Sequence, residues 1–299
     1  MKPILSSYLD YQGASLKTQL ELFKKLNLTH FMFRKIDGKK FYELSDIEIE
    51  NYVNTLKSTK VIAIDPLMDA FNMKDIEEVH AYNNTLEFIV LKVKKFSPLY
   101  YVYTIPKFDD QTCDYKLVVH TVKEQLKIIR RQRLKVLIKF SDGHTPKIYR
   151  YIFDALKIKK NVEIMFDYVY LYKLNEAEIT AFRILRNHIG MLIMDDIDKL
   201  GAGRVIGSSE NIAVADIVKR FIKRQFSGYV VLDSSLIELL NRANDKNWFS
   251  KMVLKKSKHE LKIYNDFIER YRSTDTYRVL RIQMAILSLM FLNKKITLE

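Results

Sequence analysis

Along this chain, short runs that are apolar at nearly every position alternate with longer stretches whose apolar positions recur every third or fourth residue. The short runs are ILSSYL (4–9), THFMFRKI (29–36), KVIAID (60–65), LYYVYTI (99–105), KVLIKF (135–140), NVEIMFD (161–167), GMLIMDD (190–196) and GYVVLD (228–233). They are rich in β-branched and aromatic residues and bounded by polar or turn residues, the pattern of strands. The longer stretches include SLKTQLELFKKLN, SDIEIENYVNTLKS, YKLVVHTVKEQLKIIRRQ and VADIVKRFIKRQF, and each carries one apolar face, as an amphipathic helix does. Helix-start signals agree: Ser45 precedes Asp46 and Glu48, and Thr145-Pro146 puts proline at a first helical position.

Eight strands, each followed by a helix, imply a parallel sheet with helical crossovers. Right-handed crossovers of that number close into a (β/α)8 barrel, with an open doubly wound sheet as the competing arrangement. The barrel is expected to span residues 1–245. Residues 246–299 then read as a helical extension packed on it, made of NWFSKMVLKKSKHELKIYNDFIERYR and DTYRVLRIQMAILSLMFLNKK. Met284, Leu287, Met290 and Phe291 form a stripe suited to core packing, or to a homodimer contact.

Composition narrows the class. With 299 residues, 48% hydrophobic and 29% charged, the chain has ample core material. No apolar run approaches the ~18 residues of a membrane span, and the start lacks the apolar core of a secretory signal. Cys113 is the lone cysteine, which rules out an intrachain disulfide and leads to the expectation of a reducing, cytoplasmic setting. The formal net charge of +14 raises a nucleic-acid partner. Against it, the bases are mostly lysines scattered through helices and interleaved with Asp and Glu, so composition bias is the simpler account.

Candidate chemistry gathers at the ends of the strands, where barrel enzymes place ligands and acid–base groups. Asp65, Asp167, Asp195 or Asp196, and Asp233 all end strands. Capping of the following helices accounts for part of this, yet the convergence suggests a site. Lys139 ends the fifth strand, an ammonium at the mouth of an apolar run. His144 follows it in the same loop, the one histidine placed at this face. LGAGRVIG (200–207) is too far from the next helix to be a dinucleotide fingerprint, and reads as a flexible loop or a phosphate contact.

Four segments carry a family resemblance: SSYLDY near the start, FRKIDGKKFYELSDIEI (33–49), IMFDYVYLY (164–172) and GYVVLDSSL (228–236). In their order and spacing the chain resembles the sugar phosphate isomerase/epimerase family of xylose isomerase-like TIM barrels, a superfamily that also contains endonuclease IV. The resemblance implies a divalent metal held by Glu, Asp, His and Glu on strands five to eight. Those positions fall here on Lys139, Asp167, Ile193 (or Leu192) and Asp233. The acid usual on strand two falls on Met32, while Arg34 is kept, and a histidine usual after strand eight becomes Ser235.

The expectation that follows is a divergent family member with a degenerate metal site around Lys139, Asp167 and Asp233. Arg34, His144, Asp65 and Asp196 are the candidate substrate-binding residues, and a sugar or sugar phosphate is the expected partner. No cofactor is expected; if the site does work with a metal (Mn, Mg, Co or Zn), Asp167 and Asp233 are its candidate ligands. Lys139 would then replace the cation and balance Asp167 and Asp233. The alternatives are an active metal-dependent isomerase or epimerase using the same aspartates, an endonuclease IV-like nucleic-acid protein, and Schiff-base chemistry at Lys139.

Overall fold

The computed structural model describes residues 2–108, 115–141, 143–158, 160–209, 212–244 and 275–293. Eight strands form one parallel sheet: β1 (Ile4–Ser7), β2 (His30–Phe33), β3 (Lys60–Ile64), β4 (Tyr100–Thr104), β5 (Lys135–Lys139), β6 (Val162–Asp167), β7 (Ile189–Met194) and β8 (Tyr229–Leu232). Hydrogen-bonded pairing runs from β1 through β8 and back down in order to β2. The remaining seam lies between β1 and β2, and Ser6 Oγ crosses it to donate to the His30 carbonyl at 2.7 Å. All eight expected strands are present, with ends shifted by a few residues.

Helices α1 (Leu16–Lys25), α2 (Asp46–Thr55), α3 (Ile76–Lys95), α4 (Tyr115–Arg131), α5 (Pro146–Ala155), α6 (Tyr168–Lys173), α7 (Glu178–Leu185), α8 (Val214–Lys223) and α9 (Ser235–Asn244) follow the strands. Ser45 accepts from the Glu48 amide while Glu48 reaches back to the Ser45 amide, completing a capping box on α2. Two features lay outside the sequence expectation. The second strand ends at Phe33, and Lys35–Ile36 instead pairs with Lys39–Lys40 in a small antiparallel hairpin. The short α6 starts directly on Asp167, whose carboxylate accepts from the Tyr170 amide.

Period-2 alternation sorts the strand residues into two sets. Met32, Val102, Leu137, Met165, Met191 and Val231 fill the barrel interior. Their outward neighbours, such as Val136, Ile138, Phe166, Leu192 and Val230, pack against the helices. The same parity carries Arg34, Lys139, Asp167, Asp195 and Asp233 into the mouth at the strands' C-terminal ends.

The last described element, α10 (Thr276–Leu292), lies against the barrel. Met284, Leu287 and Phe291 are buried, with Met290 partly so, in keeping with the expected stripe. Gln283 Nε2 donates to Ser234 Oγ at 2.5 Å, which ties α10 to the loop after β8. The boundary expected at 245 and the first helix of the expected extension lie outside the described residues.

Gly203 shows how tightly the loop after β7 is fastened. A Cβ there would meet the backbone of Ser235 and Leu236, and backbone has nowhere to go. Gly203→Ala is expected to destabilise the protein by about 1–3 kcal/mol, the usual cost of overpacking, read as a lower urea midpoint with an unchanged slope.

Candidate functional site at the barrel mouth

A cavity of about 500 Å3 opens at the C-terminal ends of the strands, lined by Asp10, Arg34, Lys35, Asp167, Lys173 and Asp233 among others. Arg34 dominates it. Its Nη atoms donate to both Asp233 carboxylate oxygens at 2.6 and 2.8 Å, and its Nε donates to Asp10 Oδ2 at 2.9 Å. The guanidinium also lies 4.1 Å from the ring centre of buried Tyr8, a cation–π geometry. Burial alone would lower the Arg34 pKa, but Asp233 and Asp10 outweigh it and push it well above the usual value. Burial raises the pKa of Asp10 even though Arg34 pulls it down.

A second ion pair stands apart from the first. Lys139 Nζ donates to Asp65 Oδ2 at 2.7 Å, and the other Asp65 oxygen accepts from the Leu67 amide at 3.0 Å. This corrects the expected pairing: Lys139 is matched with Asp65, while Asp233 is matched with Arg34.

Among the described residues Asp167 forms no ion pair with either cation, and it is half-buried in the cavity. Burial, helped by the charge on Asp233, raises its pKa to about 6, against the opposing Tyr170 amide and the Lys173 charge. Asp195 is also pushed up by burial, and accepts from the Ser235 amide and from the Ser235 hydroxyl in a very short bond.

No protein-family model and no curated protein matches the chain in sequence. Solved structures do match in shape. A xylose isomerase domain protein from Planctomyces limnophilus superposes with a TM-score of 0.61 at 12% identity, over 84% of this chain and 98% of that one. A sugar phosphate isomerase/epimerase from Parabacteroides distasonis gives 0.59 at 12% identity, over 97% and 93%. The IOLI protein, in a crystal structure with a binding zinc atom, gives 0.63 at 17% identity, over 79% and 89%. The fold is that of the xylose isomerase-like TIM barrels.

On this xylose isomerase-like frame the sequence candidates separate. Arg34, Asp167 and Asp233 meet in the cavity. Lys139 and Asp65 face one another in their own pair. His144 is buried, its Nε2 within 3.0 Å of the Pro106 carbonyl and its ring 4.4 Å from that of Phe108, so its partners are loop atoms. Asp196 is fully buried and accepts from the Ser208 and Ser209 amides and the Ser209 hydroxyl, which fastens the loop after β7. That loop is therefore clamped. Asp198 takes the Leu200 and Ala202 amides as well, so those donors are spent within the protein.

Sequence reasoning missed Asp10, Lys35, Lys173 and Glu238, all of which line the cavity. Asp10 follows β1 as Asp233 follows β8, so the strand-end rule applies to it equally. Lys35 sits on the unforeseen hairpin and Lys173 on the unforeseen α6, so their places had no signal in the pattern.

Two outcomes follow from this electrostatic layout. Arg34→Met strands Asp10 and Asp233 together, and is expected to cost about 3 kcal/mol in urea unfolding, at the low end for a buried pair because the site is partly exposed. Adding Asp10→Asn and Asp233→Asn should recover much of that loss. For Asp167, an acid whose folded pKa is raised binds more protons folded than unfolded, so stability falls as pH rises between the ordinary carboxylate value and about 6. Asp167→Asn keeps a capping oxygen for α6 and should remove that part of the slope, leaving the variant relatively more stable at pH 7 than at pH 4.

Proposed function

We propose that this chain is a divergent relative of the sugar phosphate isomerases/epimerases whose metal site is degenerate, and that it binds a sugar or sugar phosphate in the barrel mouth. The observation that carries this reading is Arg34 held between Asp10 and Asp233. Hard divalent cations need several oxygen or imidazole donors free to converge. Here both Asp233 oxygens are already committed to a guanidinium, and Asp65 to an ammonium. Among the described residues, no group of three or more His, Cys, Asp or Glu side chains is placed to hold a metal. The donor set does not fit a resident divalent ion.

The cavity suits a polar ligand instead. Carboxylates of Asp167 and Glu238 can accept from sugar hydroxyls, and the exposed ammonium groups of Lys35 and Lys173 flank the opening, where a phosphate would be drawn. Asp167 is the group suited to move a proton, since its pKa of about 6 lies near neutrality. That property is also what favours the second reading, an active isomerase or epimerase using Asp167 and Asp233. Arg34 weighs against it by holding Asp233.

Metal analysis and ligand-induced stabilisation separate the readings. After dialysis against Mn, Co or Zn, the protein should retain far less than one equivalent. Pentose and hexose monophosphates should raise its Tm, and Lys35→Ala with Lys173→Ala should abolish that rise. Stoichiometric metal lost on Asp167→Asn would favour the active isomerase. An unchanged Tm with every sugar phosphate and free sugar would remove the ligand-binding claim.

A further inference from the structure

The opposite end of the barrel carries a second candidate site. Two cavities of about 460 and 520 Å3 adjoin there, sharing Leu99 and Tyr229, and together they form a trough across the strands' N-terminal ends. Exposed Lys57, Lys60, Lys95, Arg186 and Arg224 and half-buried Lys135 line it. The half-buried rings of Tyr229 and Phe226 lie on its floor. The acid among its lining residues, Glu163, is tied down: Tyr100 donates its hydroxyl to Glu163 Oε2 at 2.6 Å, and the carboxylate packs over Gly190, where any Cβ would collide with it.

Beyond the trough the same face stays basic. Each connection that enters a strand from this side carries Lys or Arg, with Lys24 and Lys25, Arg130, Arg131 and Arg133 among them, and Asp154 and Glu163 are the acids in those stretches. Part of this is helix chemistry, since the helices that lead into the next strand end here and cations suit a C-terminus. That does not account for Lys57, Lys60, Arg133 and Lys135, which lie beyond the helices in loops and strand starts. Cations that are far apart in the sequence are thus brought together at this end of the barrel.

We propose that this trough binds the sugar-phosphate backbone of a single-stranded nucleic acid. Convergent cations with aromatic rings between them match how such grooves track a strand. The cavities are sized for single nucleotides, and a duplex does not enter them. A lipid surface fits less well: among the described residues, Leu99 is the one exposed large apolar side chain lining the trough, so no set of residues to insert is found there.

The test is fluorescence anisotropy with labelled oligo(U) and oligo(dT) of about 15 nucleotides, a length suited to one groove. Binding is expected at about 50 mM salt and should weaken on a log–log plot with a slope of about −0.7 for each phosphate contacted. The variant K57E/K60E/R186E/R224E should bind at least about tenfold more weakly. K17E/K74E/K147E/K199E makes the same charge change at the other end of the barrel and should bind within about twofold of the parent. A glutamine version of the first set guards against misfolding and should give an intermediate loss. The tighter of the two oligonucleotides identifies RNA or DNA as the source of the backbone. Equal losses in the two glutamate variants, no binding at low salt, or binding to phosphatidylserine vesicles without binding to either oligonucleotide would each overturn the proposal.

Discussion

Arg34 enters the barrel mouth past the end of β2 and lies over the ring of Tyr8, where Asp233 closes on it from β8 and Asp10 from β1. Both acids lie on the same side of it in the strand order, across the seam, so the guanidinium joins β2 to the β8–β1 wall where the ladder has no hydrogen bonds. A buried cation with two carboxylates is self-consistent only as a unit. Remove the centre and two acids face each other without compensation; remove the acids and a guanidinium is left in an apolar barrel. Every other charge in the mouth is arranged around that constraint. Lys139 is left to Asp65 on the far wall, and Asp167 lies between the two pairs with only the charge of Lys173 partly offsetting its burial among the described residues.

The polarity of the whole molecule follows from its topology. In a barrel of this kind the crossover helices that lead into the next strand run from the mouth to the base. Acids in first turns, such as Asp46, Glu48, Glu77, Glu78 and Asp216, therefore collect at one end. Bases in last turns, such as Lys24, Lys25, Arg130, Arg131 and Lys223, collect at the other. Local helix preferences thus become a long-range separation of charge. The two candidate sites differ in chemistry for this reason. The mouth holds balanced pairs and hydroxyl-accepting acids, whereas at the base cations outnumber acids, with Lys95 3.8 Å from Glu50 and Arg131 4.0 Å from Glu87.

Much of this was legible in the chain. The strands announced themselves because a parallel sheet covered on both faces must be apolar nearly throughout, and the helices because one face must be. The mouth was legible as a location: Arg34, Asp167 and Asp233 lie in it as their strand ends implied. Pairing was not legible. Whether Lys139 meets Asp65 or Asp167 depends on inward parity, on the shift in register between Ile164 and Met165, and on the path of the loop around Leu67. None of these leaves a mark in composition. Asp196 shows the limit most plainly, because it adjoins Asp195 in sequence yet faces a different neighbourhood and binds the loop at Ser208 and Ser209.

The separation of the two ion pairs also explains why Asp167 is the informative residue of the site. Had Lys139 reached it, the ammonium would have held the carboxyl ionised well into the acid range, as an opposite charge at hydrogen-bond distance does. Because Asp65 takes Lys139, Asp167 keeps the cost of burial and the repulsion from Asp233, with Lys173 and the Tyr170 amide offsetting only part of it. The ammonium that would have quenched this carboxyl is thereby spent on Asp65. What is left at the end of β6 is an acid that changes protonation near neutral pH, facing a polar cavity with an ordered floor. A sugar hydroxyl placed against it would meet a donor below that pKa and an acceptor above it. The ion pairing of the mouth therefore determines the proton chemistry that the mouth retains.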